Sequence, residues 1–174
     1  SKSFGRAITN KRELCEAIAS HVIRACEKLR EQKQCAGKIS VCVRTSSYTA
    51  TFHSQIATEI LRVPSNDTST LLKVALSLTE KIYRPHIAFK KAGVLMQNLQ
   101  SVDYVQQSFL ELIDVEAQAR RNHLLKLIDD LNKRYGKNII TWYSYGLNKG
   151  WDMRRKKLSP ASTTRYEEIP TIKI

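Results

Sequence analysis

The stretch K-I-S-V-C-V-R-T, residues 38–45, decides how this chain folds. Ile39, Val41 and Val43 alternate with Ser40, Cys42 and Arg44, and a period of two predicts a half-buried β-strand. Its apolar side requires a helical layer. Its other side carries small polar groups and an arginine, with no second hydrophobic layer implied. A sheet packed on one face and polar and cationic on the other suits an anionic polymer.

Upstream, residues 1–8 read as a short strand, S-K-S-F-G-R-A-I. Asn10 followed by Glu13 has the form of a capping box. Leu14, Ala17, Ile18, Val22, Ala25 and Leu29 recur at helical spacing, so residues 11–33 form an amphipathic helix, with Gly37 preceding the next strand. His21 stands near its apolar face as a half-buried histidine with its hydrogen bonds satisfied.

Downstream of the central strand, residues 52–61 read as an antiparallel partner. Asp67 caps a second helix carrying Leu71, Leu72, Ala75, Leu78 and Ile82, which should stop before Pro85. Residues 87–99, I-A-F-K-K-A-G-V-L-M-Q-N-L, read as the last and most buried strand, and alternation sends either Lys90 or Lys91 to the open face. The order β-α-β-β-α-β predicts an α+β fold, a four-stranded antiparallel sheet with two helices on one face.

At 174 residues and 42% apolar composition the chain has material for a proper core. No apolar run approaches a membrane span, and no signal-peptide core stands at the start. Opening on a serine and directly on a strand, the chain reads as a piece of a longer protein. Cys15, Cys26, Cys35 and Cys42 follow no zinc or redox spacing, so they are expected to be structural thiols of a reducing cytoplasm.

Charge is the strongest global signal, with 29 Lys and Arg against 16 Asp and Glu, a net of +13. Residues 1–110 hold 16 basic and 8 acidic side chains, residues 111–136 hold 5 of each, and residues 137–174 hold 8 and 3. Two basic regions therefore flank a neutral segment, and phosphate backbones are the commonest partner of such surfaces. Ser1, Lys2, Ser3, Gly5 and Arg6 supply hydroxyl donors, cations and a close main-chain approach, all suited to phosphate.

Several motifs in fixed order, S-K-S-F-G-R, V-C-V-R-T-S, N-D-T and Y-R-P followed by F-K-K-A-G-V, resemble the little-finger domain of Y-family translesion DNA polymerases. The tail W-D-M-R-R-K-K-L-S-P-A-S-T-T-R is similar to the C-terminal extension of the UmuC type, the catalytic subunit of bacterial DNA polymerase V. The resemblance spans nearly the whole chain. It implies a little finger over residues 1–100, a tether over 101–110, and a C-terminal helix with a basic extension over 111–174. It also implies an error-prone polymerase of the bacterial SOS response, cytoplasmic and nucleoid-associated, whose palm carboxylates would hold magnesium. No palm sequence is present, so no catalytic residue, metal site or cofactor is expected in this chain.

The open sheet face would grip DNA backbones without sequence preference, through Ser1, Lys2, Ser3, Gly5, Arg6, Ser40, Arg44, Lys90 and Lys91. Gln106, Phe109 and Leu110 are similar to a degenerate sliding-clamp peptide; the same residues also read as a helix start in which Phe109 packs locally. Leu124, Leu127, Ile128 and Leu131 stripe a helix over 111–135 that stops at Gly136, and Asp129 and Asp130 read as solvated partners of Lys126, Lys133 and Arg134. Residues 139–143 look strand-like, with Trp142 lying on that helix. Trp151 with Arg154 and Arg155 looks outward-facing. The resemblance implies that Trp151, Arg154, Arg155, Thr164 and Arg165 meet the cleaved accessory-subunit dimer and the recombinase filament, though the composition suits DNA as well. A stand-alone nucleic-acid-binding module is the alternative; the central strand has none of the stacking aromatics that RNA-recognition sheets use.

Overall fold

The computed structural model describes residues 1–48, 52–102, 115–136, 138–147 and 149–153. Its elements are β1 (Lys2–Ile8), α1 (Lys11–Glu31), β2 (Gln34–Arg44), β3 (Ser54–Ser65), α2 (Thr68–Ile82), β4 (Phe89–Ser101), α3 (Val115–Tyr135) and a 3-10 turn, Tyr143–Tyr145. The four strands form one antiparallel sheet in the order β1-β4-β2-β3, with α1 and α2 packed on one face. The expected β-α-β-β-α-β arrangement is therefore present.

Ile39, Val41 and Val43 are all at most 1% exposed, packed in one core with Leu14, Ile18 and Val22 of α1 and Leu71, Ala75 and Leu78 of α2. Burial of these branched side chains is the main stabilising term, at about 1.5–3 kcal/mol each. β2, with a neighbour along both edges, is the most buried strand. β4 is not, because β1 flanks only its first part and Leu95, Asn98, Leu99 and Gln100 are exposed.

Element ends differ from the sequence pattern for local reasons. α1 stops at Glu31 because Lys33 turns into the left-handed region at φ 53° and donates its N–H to Arg30 at 3.0 Å. β2 then begins at Gln34, and Gly37 lies inside it, at a register shift between Ala36 and Lys38. A Cβ there would sit 3.2 Å from the Asn98 carbonyl oxygen, so the glycine lets β4 pass close by. β3 runs on to Ser65, and its Pro64 is tolerated because β3 is an edge strand. Asn10 caps α1 by accepting from the Arg12 N–H at 2.8 Å, but the box is not completed: Glu13 pairs with Arg6. Asp67 caps α2, accepting from the Thr70 N–H at 2.8 Å and its hydroxyl at 2.6 Å.

The C-terminal part joins the core rather than standing off it. Asp129 is not a solvated partner of its own helix. Arg30 of α1 grips it with two bonds, Nε to Oδ2 at 2.6 Å and Nη2 to Oδ1 at 2.8 Å, while Nη1 reaches the Asn66 carbonyl and the Thr68 hydroxyl. This fork ties α3, α1 and the start of α2 together; removing one partner of such a pair costs about 3–5 kcal/mol. Lys133 pairs with Glu31 rather than with Asp129. Residues 139–143 make no strand, because the Asn132 side chain takes both main-chain groups of Ile140 at 2.9 Å, the bonds a neighbouring strand would have made.

Trp151 does not face outward. It is 2% exposed, its ring meets Phe4 edge-on at 5.7 Å, and its carbonyl accepts from the Gly5 N–H at 2.9 Å. Lys2 and Asp152 close the same contact at 2.7 Å. Trp151 and Asp152 therefore pack on β1.

Candidate nucleic-acid interface

With α1 and α2 on one side, the other face of the sheet is left open among the described residues. Strand pairing sets Ser3 opposite Lys91, Lys91 opposite Arg44, and Arg44 opposite Ser54. One row of two cations flanked by two hydroxyls thus crosses all four strands. Ser3, Arg44 and Ser54 are exposed and Lys91 is half-buried. The next row is Gly93, Cys42 and Ile56, and Ser1 lies directly over Gly93. A Cβ on Gly93 would stand 2.5 Å from Ser1 Cβ and 2.7 Å from its Cα, so only glycine admits that approach. Main chain, hydroxyls and cations converge here on a surface without acidic side chains in these two rows.

Nine residues were expected on this face, and the structure divides them. Ser1, Ser3, Arg44 and Lys91 come together there. Ser40 is on the same face but buried, its hydroxyl bonded to Thr58 at 2.8 Å and to Gln97 at 3.1 Å, so it braces the sheet rather than offering a donor. Lys90 is the lysine that turns away, its Nζ 3.5 Å from the Gly5 carbonyl oxygen. Lys2 and Arg6 are committed to Asp152 and Glu13, and the Gly5 N–H to Trp151. Gln106, Phe109, Leu110, Arg154, Arg155, Thr164 and Arg165 lie outside the described residues.

Two features of the face were not anticipated. Ser54 completes the cationic row. Ile56 and Ile60 on β3 and Leu95 and Leu99 on β4 are exposed on it, the two isoleucines by 66% and 72%. The alternation of Ile56, Thr58, Ile60 and Arg62 held that signal, since burial of hydrophobic residues is a one-way rule.

The other reactive groups are structural. All four cysteines are free, and burial pushes the Cys26 thiol up to about 12 and raises Cys15 and Cys35, so these remain protonated thiols. His21 is not satisfied as expected: its Nε2 is buried without a partner, and burial, with the Ser1 amine, Lys2 and Arg24 nearby, lowers its pKa to about 4. Among the described residues no His, Cys, Asp or Glu cluster could hold a metal ion, and no helix is long and apolar enough to cross a membrane.

The chain is an α+β sheet with one helix-covered face and one face carrying a cationic row, and the comparisons with known proteins say to which family it belongs. Residues 1–109 match the impB/mucB/samB family C-terminal domain, and residues 122–172 match a domain of unknown function, DUF4113. The chain belongs to the impB/mucB/samB family, as a C-terminal part of the UmuC type. It is 32% identical to the protein UmuC of Salmonella typhimurium over 99% of the chain, and 34% identical to the protein MucB of Escherichia coli over 98%. The protein SamB of Salmonella typhimurium is 31% identical over the full chain. The chain spans about two-fifths of these relatives' length, 41% of UmuC and 40% of MucB.

Proposed function

We propose that this chain is the DNA-gripping and partner-binding C-terminal part of an error-prone translesion DNA polymerase of the SOS response, acting in the bacterial cytoplasm at the nucleoid. The observation that carries the reading is the Ser3–Lys91–Arg44–Ser54 row on an otherwise uncovered sheet face. Hydroxyls and cations of that kind bind phosphate oxygens and carry no base-edge code, so they hold a duplex in position without reading it. Catalysis would belong to magnesium-holding carboxylates elsewhere in the parent protein. Gln106, Phe109 and Leu110 are proposed to dock on the sliding clamp. Arg154, Arg155, Thr164 and Arg165 are proposed to meet the cleaved accessory-subunit dimer and the recombinase filament; buried Trp151 is withdrawn from that surface.

An RNA-recognition module is the less favoured reading. Such sheets stack bases on exposed aromatics, whereas the aromatic side chains on these four strands are Phe4 and Phe89, both buried.

The test is a salt titration of duplex DNA binding with several unrelated sequences. Affinity should be alike for all of them and fall steeply between about 50 and 200 mM salt. Replacing Arg44 and Lys91 together by Ala should weaken every duplex by a similar factor and lower the salt slope by roughly two. Binding that is flat across this salt range would sink the phosphate account.

A further inference from the structure

Among the described residues nothing covers the outer side of α3. Leu124, Leu127, Leu131 and Tyr135 recur along one side of the helix and are exposed, and Ile139, beside Gly136 at the helix end, extends the patch. The patch runs into a pocket of about 310 Å³ between α3, the start of α2 and the segment after α3, lined by Asp67, Arg121, Leu125, Ile128, Ile140 and Trp142. At its wall, Asp67 Oδ1 and the Thr141 hydroxyl oxygen are buried without hydrogen-bond partners, and Asp67 as a whole is only 4% exposed.

We propose that the last residues of this same chain, 166–174, cover this face of α3 and seat an apolar side chain in the pocket. Four observations favour this occupant. The domain matched over residues 122–172 takes in α3 and this tail as one unit. The sequence Y-E-E-I-P-T-I-K-I supplies Tyr166, Ile169, Ile172 and Ile174 as apolar anchors in a short stretch. Its acidic pair, Glu167 and Glu168, complements the exposed Arg120 and Arg134 of α3. The distance is also short. Met153 follows Asp152, whose charge acts on His21 of α1, and α3 is held by Arg30 of the same helix. Nine residues of helix separate those two points, about 14 Å, and residues 154–165 reach about 40 Å when extended.

The experiment compares the full chain with one ending at Arg165. Deletion should speed amide hydrogen exchange across α3 by about tenfold or more while β2 and β4 keep their protection. A synthetic peptide of residues 166–174 added in trans should restore it. Leu127→Asp, at an exposed position that leaves the core intact, should abolish that rescue in the shortened chain. Exchange unchanged by the deletion overturns the proposal, as does a peptide that binds the Leu127→Asp chain equally well. Sedimentation supplies the last arm. A full-length dimer that Leu127→Asp dissociates and the deletion does not would assign the face to a second copy and likewise overturn it.

Discussion

His21 carries the clearest single-residue consequence. Its imidazole is held neutral, with a folded pKa of about 4 against an ordinary 6.5, because burial opposes charge and the Ser1 amine, Lys2 and Arg24 add to the effect; Asp152 acts the other way. The unfolded chain therefore binds a proton that the folded chain refuses. Stability is full above pH 6.5 and falls as the pH drops from 6.5 toward 4, by at most about 3 kcal/mol. Urea unfolding at pH 7 and pH 4.5 should show that loss, and His21→Asn should remove most of the difference. The Asp152 carboxylate, lowered by the Lys2 hydrogen bond, loses its contribution only below its usual 3.8 and does not confuse this window. A variant with the same slope as the parent would place the titrating group elsewhere.

At the scale of elements, Trp151 and Asp152 form a clasp on the first strand. β1 stands at the edge of the sheet and pairs only with β4, and Trp151 gives it a second set of contacts through Phe4 and Gly5. Trp151→Ala should cost about 3–5 kcal/mol in denaturant unfolding, the range for emptying a buried aromatic site. An outward-facing tryptophan would cost under about 0.5 kcal/mol. The same clasp engages Lys2 through Asp152, so Asp152 and the cationic face share the strand that carries Ser3.

For the whole molecule, the two basic regions have separate tasks in the proposed reading. The first, in residues 1–110, grips DNA, and the second, in residues 137–174, meets protein partners, with α3 tied between them by Arg30 and Asp129. The proposed clamp contact belongs to this scale because it would tether the whole molecule to DNA. Replacing Gln106, Phe109 and Leu110 by Ala should abolish capture of the sliding clamp, a contact of micromolar strength or weaker, on the order of −8 kcal/mol. DNA binding should be unchanged in that variant. Equal clamp capture by parent and triple variant would discard the assignment.

What the amino-acid sequence determined by itself is local and periodic. Alternation at Ile39, Val41 and Val43 specified the central strand, helical spacing from Leu14 to Leu29 specified α1, and Asn10 and Asp67 marked the helix starts, since each signal depends on residues within a turn or two. The family was legible as well, because its motifs are short and ordered. Contacts between distant parts were decided only by the tertiary structure. Glu13 sits where a capping box wants it, yet Arg6, on the preceding strand, takes its carboxylate. Asp129 has lysines and an arginine on its own helix, yet the guanidinium of Arg30, 99 residues away, is better placed. Trp151 precedes a run of cations, as an exposed anchor would, but a large apolar ring gains more from Phe4 than from water. Lys90 and Lys91 are adjacent and chemically alike; which one reaches the open face follows from the pairing of Lys91 with Arg44, and that pairing exists only once β2 and β4 have met.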